Sequence, residues 1–197
     1  MAIVNGYVTL SDLKTYLTVS GSTEDARLES AIEAASRAID TWTRRRFYAT
    51  SAIKYFQGEQ DFGEYCMFDD DLLTITEVST DDQNRRVYTA WSASDYEAEP
   101  YNEGPPYNLL RRAPESNKVF PVWPRGVRIT GTWGYSTTAP QAIAAACLIL
   151  AARYYKRKDA PFGVIGTPEL GFMRVTSKDP EVIALLEPYR RLVIVGV

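Results

Sequence analysis

The chain has no histidine among its 197 residues. That absence removes the serine–histidine and cysteine–histidine forms of nucleophilic catalysis and the usual zinc sites. It also removes the one side chain that titrates near neutrality without help. Cysteine is almost as scarce, with only Cys66 and Cys147. The first lies in a strand-like run and the second in an apolar helical run, and two such thiols make no disulfide framework. A reducing compartment fits them better than secretion. Neither a Walker-type phosphate loop nor a GxGxxG pattern occurs, so nothing announces a nucleotide site. The longest apolar run, Ala142 to Ala152, falls far short of the ~20 residues a membrane span needs. The opening MAIVNGYVTL lacks the charged segment and long apolar core of a secretory signal. The expectation is a soluble cytosolic product with no membrane partner and no cofactor. An enzyme built on this chain would have to work with carboxylates, lysine, tyrosine or cysteine.

What is present is enough for a core. Hydrophobic residues make up 45% of the chain, and a globule of this length buries roughly 70% of the surface its unfolded chain exposes. The length allows one domain, or one domain with a sizeable insertion. The net charge of −3 hides a segregation. Phe56 to Gly104 holds thirteen acidic and two basic residues, a net of −11, and the remainder holds twelve acidic and twenty basic, a net of +8. Charge sorted on that scale implies opposed faces with different partners, or an acidic insertion whose work is solubility.

Three blocks follow one another. Residues 1–48 read as helical. Thr9 to Asp12 has the spacing of a capping box ahead of a short helix ending near Leu17. Ser22 or Thr23 then opens a longer helix to about Arg46. In it Leu28, Ile32, Ala35, Ile39 and Trp42 mark one buried face, and Glu33 with Arg37 and Asp40 with Arg44 form i,i+4 pairs. Arg44, Arg45 and Arg46 suit the negative end of the helix dipole.

Residues 49–137 read as β, with short aromatic and β-branched runs between turn formers. The candidate strands are Ala52–Gln57, Glu64–Phe68, Leu73–Thr80, Arg86–Trp91, Tyr107–Arg112 and Gly126–Tyr135. Residues 138–197 are helical again. Pro140 starts a helix to about Asp159 that is apolar nearly all round and so should be buried on more than one side. A Gly- and Pro-spaced segment follows, Asp179-Pro180-Glu181 caps a last short helix, and the sequence finishes in Leu192-Val193-Ile194-Val195-Gly196-Val197. Helices at both ends, each with an apolar face, bury those faces most simply against each other. The fold expected is therefore α+β: a helical bundle formed by N- and C-terminal helices, with Ile32, Ile39, Trp42, Ile143, Cys147 and Leu150 in one core, and an inserted antiparallel β subdomain.

With these blocks laid out, the chain resembles the head–tail connector (adaptor) family of long-tailed double-stranded-DNA bacteriophages. VTLSDLKTYL followed by DARLESAIEAASRAIDTWTRRRF looks like the family's N-terminal helix pair. VRITGTWGYS, a Pro-started helix and LAARYYKRKDAPFGV resemble its second half, and DPEVIALLEPYRRL its closing helix. The stretch from Val127 to Leu192 carries the most specific part of the likeness, and Phe56 to Val122 the least. The resemblance implies a non-enzymatic virion protein of the neck. About a dozen copies would form a ring beneath the portal protein, extend the DNA channel and meet a tail-side stopper protein. DNA would be weakly held passing cargo.

Several residues stand out as candidate sites. The acidic residues Asp69, Asp70, Asp71, Asp81 and Asp82 are expected to form a surface facing the channel or the tail-side partner. The same carboxylates could bind a divalent cation, or simply solvate a turn. Paired at the right separation, with Trp91 to stack on a sugar, they could also serve a carbohydrate-binding or carbohydrate-active virion protein. A stopper or tail-completion protein is a close neighbour of the connector reading. Tyr154 to Lys158 sets basic charge beside aromatics, which suits a nucleic-acid surface or a helix C-terminus with dipole-matched charge. Arg190 and Arg191, with the apolar Leu192, Val193, Ile194 and Val195, are the candidate portal contact, by strand addition to a partner or as a last strand of the subunit's own sheet.

Overall fold

The computed structural model describes residues 3–59, 63–157, 164–165, 173–174 and 179–191. The chain divides into two compact units, Met1–Arg45 with Thr138–Val197, and Arg46–Thr137.

The first unit is helical. Helix α1 (Leu10–Leu17) opens with both bonds of the capping box: the Asp12 N–H donates to Thr9 Oγ1 at 3.1 Å, and the Thr9 N–H donates to Asp12 Oδ2 at 2.9 Å. Helix α2 (Asp25–Thr43) starts behind Glu24, two residues after Ser22 and one after Thr23, and Glu24 makes no side-chain cap. Its Leu28, Ile32, Ala35 and Ile39 are fully buried, as the spacing requires. It ends where Arg44 turns left-handed at φ 55°. Arg44 is thus the cap residue and Arg45 follows it, so the arginine triplet begins at the end of the helix and not within its last turn, and Arg46 belongs to the other unit.

Helix α3 (Gln141–Lys156) begins just after Pro140 and packs along α2, with Ser36 Oγ 3.5 Å from Cys147 Sγ. Ile143 and Cys147 are fully buried, but Trp42 and Leu150 are only partly so. One side of α3, through Ile143, Ala146, Cys147 and Ala151, is closed, and Leu148, Ile149 and Leu150 remain partly accessible. Helix α4 (Pro180–Leu186) has Asp179 as its cap, accepting the Glu181 N–H at 3.0 Å. Arg153 of α3 reaches the same Asp179 at 2.7 Å. The Gly- and Pro-spaced segment contributes a two-stranded antiparallel ladder that periodicity did not announce.

The second unit is a single antiparallel sheet. Its strands are β1 (Thr50–Phe56), β2 (Tyr65–Thr80), β3 (Thr89–Ala90), β4 (Tyr96–Glu99), β5 (Tyr107–Arg112) and β6 (Val127–Trp133). They run in the order β1-β6-β2-β5-β4, with β3 on β2. The remaining pair, β7 (Val164–Ile165) with β8 (Met173–Arg174), is the ladder of the first unit.

In β6, Val127, Ile129, Gly131 and Trp133 face inward and Arg128, Thr130 and Thr132 face outward, the period-2 alternation of a half-buried strand. Gly131 is required there, because a Cβ would sit 2.2 Å from the Thr74 carbonyl oxygen of β2. The inner face closes over Cys66, Phe68, Leu72, Val78, Trp91, Leu110 and Phe120.

The largest departure from the sequence reading is β2. Glu64–Phe68 and Leu73–Thr80 are not two strands around an acidic turn; one strand runs through Asp69-Asp70-Asp71. Its register shifts between Met67 and Leu72, where it passes from β5 to β6 as partner, as a bulged strand does. Strand β4 was not anticipated, and Arg86–Trp91 shrinks to the two residues of β3.

Candidate assembly surfaces

The five aspartates do not form one surface. Asp70, Asp71 and Asp81 are buried, while Asp69 and Asp82 are exposed. Asp70 is buried on β2, where Lys54 of β1 and Arg46 both pair with its Oδ2. Burial pushes its carboxyl up, but the Lys54 hydrogen bond, the Asp71 N–H and the charges of Lys54 and Arg46 outweigh it and hold the group below the usual carboxylate range. Asp81 organises the turn after β2: its two oxygens accept the N–H groups of Arg85 at 3.0 Å and Arg86 at 2.6 Å. Burial again pushes up, and those backbone bonds with the Arg86 charge bring the carboxyl below its ordinary value. Both aspartates are architectural, and no group of three or more His, Cys, Asp or Glu among the described residues is placed to hold a metal.

Other candidates also turn inward. Trp91 cannot stack on a sugar, because it is buried against Phe120, with ring centroids 4.5 Å apart, and its indole N–H donates to Thr80 Oγ1 at 2.8 Å. Burial pushes the Cys66 thiol up to about 12, so it holds almost no thiolate at neutral pH. In the basic run, Tyr155 lies 5.3 Å beneath the Arg27 guanidinium.

Arg190 and Arg191 sit at the end of α2. The Arg191 N–H donates to the Thr43 carbonyl at 2.8 Å, and the Arg190 guanidinium stands 5.8 Å over the Trp42 ring. Ala38, Thr41, Trp42, Arg44 and Arg190 line an open groove of about 440 Å³. Leu192, Val193, Ile194 and Val195 lie outside the described residues.

A second surface was missed. On the outer face of the sheet, Tyr55 of β1 meets Tyr88, with ring centroids 5.9 Å apart. Arg125 lies 5.3 Å over Tyr55, and Arg128 of β6 lies 4.7 Å over Tyr88. The Tyr88 hydroxyl donates to the Arg125 carbonyl at 2.8 Å, and the Arg86 guanidinium donates to the Pro124 carbonyl at 3.0 Å. Ile53 and Val87 are exposed beside them. The signal was the outward set of the β1 and β6 alternations, Ile53 and Tyr55 with Arg128; the loop residues had no period to betray them.

A family of phage gp6-like head-tail connector proteins matches residues 7–103. Over those residues, just under half of its length, the chain is similar to phage head–tail connector proteins. Its role is that of a structural connector between head and tail. The match covers α1, α2 and the sheet through β4, including Phe56 to Glu103 of the stretch that looked least specific in the sequence, whereas Val127 to Leu192, which looked most specific, lies outside it. No curated protein matches the chain. Three similar solved structures come from gene transfer agent (GTA) particles. One is a chain of the virion of the native particle, 21% identical with a TM-score of 0.65. Another is from the neck of the empty particle, computed with C6 symmetry, 20% identical at 0.62. The third is from the neck of the native particle, computed with C12 symmetry, 19% identical at 0.62. Each alignment covers 100% of this chain and 96% of the other, so the whole two-unit fold is shared.

Proposed function

We propose that the chain is a neck subunit that assembles as a ring of about a dozen copies beneath the portal, extends the DNA channel and presents the attachment site for the tail-side stopper. The observation that carries this reading is the end-to-end likeness to chains from particle necks computed with C6 and C12 symmetry, joined to the family match. The helices of the first unit act as a bundle that holds the sheet unit in the ring. Arg190 and Arg191, with the apolar residues that follow them, contact the portal. The acidic surface facing the channel or tail narrows to exposed groups such as Asp69 and Asp82. An acidic wall keeps passing DNA from sticking, because phosphate contacts supply most DNA affinity.

The test is assembly. Heads made without this protein should fill with DNA yet fail to join tails, and adding it back should restore joining. Removing Leu192 to Val197 should leave a folded protein that no longer joins portal-bearing heads. Tail joining in the protein's absence would overturn the reading.

A further inference from the structure

We propose, resting on the ring reading above, that adjacent copies touch through their sheet units: the arginine–tyrosine patch at the β1 edge of one copy receives the acidic β4 edge of the next. A closed ring needs two different, complementary patches on every subunit. This sheet has them on its two edge strands, since among the described residues β1 pairs only with β6 and β4 only with β5.

The β1 patch has the make-up of a binding surface. Ile53 is 55% exposed, Tyr55 44% and Val87 70%, and tyrosine and arginine are the residues that anchor interfaces. Arg128 is neutralised by Glu77 at 2.7 Å, but Arg86 and Arg125 form no ion pair among the described residues. Their guanidinium groups are already held, Arg125 over Tyr55 and Arg86 by the Pro124 carbonyl, so docking freezes little further side-chain motion.

The β4 edge is its counterpart. Tyr96 and Ala98 face the core, which turns Glu97 and Glu99 outward. Glu99 is taken by Arg111 at 2.6 Å. Glu97 and, just beyond the strand, Glu103 are exposed and form no ion pair among the described residues. Tyr101 between them is 74% exposed. Two cations, of which Arg86 also acts on the buried Asp81, thus face, beside exposed apolar side chains, two anions beside an exposed aromatic ring, none of the four in an ion pair among the described residues. The surrounding segment, at −11 between Phe56 and Gly104, makes other sheet-to-sheet orientations repulsive and so selects this one. The same acidity disfavours DNA on the β1 patch.

The test is a charge swap in the full chain, read as incorporation into portal-bearing heads made without the native protein. The unmutated protein must first incorporate; if it does not, the ring reading fails and this contact with it. Arg86→Glu with Arg125→Glu should cut incorporation about tenfold or more, and so should Glu97→Lys with Glu103→Lys. A chain carrying all four changes should recover, because every contact then again joins opposite charges. Arg125→Glu alone, at a guanidinium that lies over the Tyr55 ring, stands in if the double arginine variant does not fold. Single-edge variants that fold and incorporate like the parent would overturn the proposal, and so would a folded four-change chain that stays defective. Arginine variants that incorporate normally but retain less duplex DNA would make the patch a DNA surface and overturn it equally.

Discussion

The two units are held together by different physics. In the helical unit most buried side chains are aliphatic or small, Leu13, Leu28, Ile32, Ile39, Ile143, Ala146 and Ala151 among them, with the aromatic Tyr7 beside them. Its buried hydroxyls, Ser36 and Thr43, satisfy themselves on the carbonyls one turn back, each at 2.8 Å. In the sheet unit the core is aromatic, with Phe56, Phe68 and Trp133 in mutual contact and Trp91 stacked on Phe120, and it encloses a carboxylate with two cations. Aliphatic burial is non-directional and indifferent to pH; aromatic edges, indole hydrogen bonds and buried ion pairs demand geometry and respond to charge. The helical unit also gathers residues from both ends of the sequence, whereas the sheet unit is one continuous segment.

Trp133→Ala should have the largest effect. It removes a nearly fully buried indole that contacts Phe56 and Phe68, donates to the Ala52 carbonyl at 3.0 Å and lies 4.5 Å under Lys54 Nζ. The expected loss is about 3–5 kcal/mol, seen by amide exchange mainly in β1, β2 and β6. Ile39→Ala comes next, at about 2–4 kcal/mol for a fully buried aliphatic truncation, with lost protection in α2 and α3. If either substitution lowered protection equally in both units, they would not be separate cooperative bodies, and the contrast would collapse.

Asp70→Asn sharpens the contrast through pH. Removing the charge strands Lys54 and Arg46, both partly open to water, so the cost at neutral pH should be about 2 kcal/mol, below the full penalty of a sealed pair. Because the folded carboxyl is held below its ordinary value of 3.8, its stabilising contribution is complete above that value and disappears as pH falls through the lower folded one. Urea titrations of parent and variant should therefore diverge above pH 4 and converge in stronger acid. Parallel curves across that range would mean that Asp70 contributes no charge-dependent stability. Ile39→Ala should show no such convergence.

These contrasts also mark how far the sequence could be read. Helix faces, the capping box, the Asp179-Pro180 cap and the β6 alternation were legible because each is written in local period or spacing. The run through Asp69-Asp70-Asp71 was not: three acids in a row read as a solvated turn, and only the sheet brings Lys54 and Arg46 to neutralise the middle one. Trp91 misled for a similar reason, since an aromatic among acids looks like a platform until Phe120 is seen against it. Strand β4 was hidden because Glu97 and Glu99 are poor strand formers, chosen here by their β5 partners and outward face. Of the expected acidic site, only the exposed members survive as surface. The arginine–tyrosine patch is assembled from β1, β6 and two loops, a conjunction that no single stretch encodes.

The smallest effect belongs to the start of the helical unit. Thr9 Oγ1 accepts the Asp12 N–H and donates to Asp12 Oδ2 at 2.6 Å, and the Thr9 N–H donates to the same carboxylate oxygen. Helix α1 is eight residues long and buries only Leu13, so it has little packing to fall back on when a first-turn donor loses its acceptor. Thr9→Ala should cost about 1 kcal/mol, lost as fraying of α1 with α2 and the sheet unit unchanged, and Thr9→Ser should recover most of it. The Thr9 side-chain hydrogen bond, with the Thr9 N–H behind it, is also what holds the Asp12 carboxyl below its ordinary value. In Thr9→Ala that carboxyl should titrate higher than in the parent, as NMR would follow, and in Thr9→Ser it should return. An unmoved Asp12 titration alongside a destabilised helix would assign the loss to helix propensity and not to the cap.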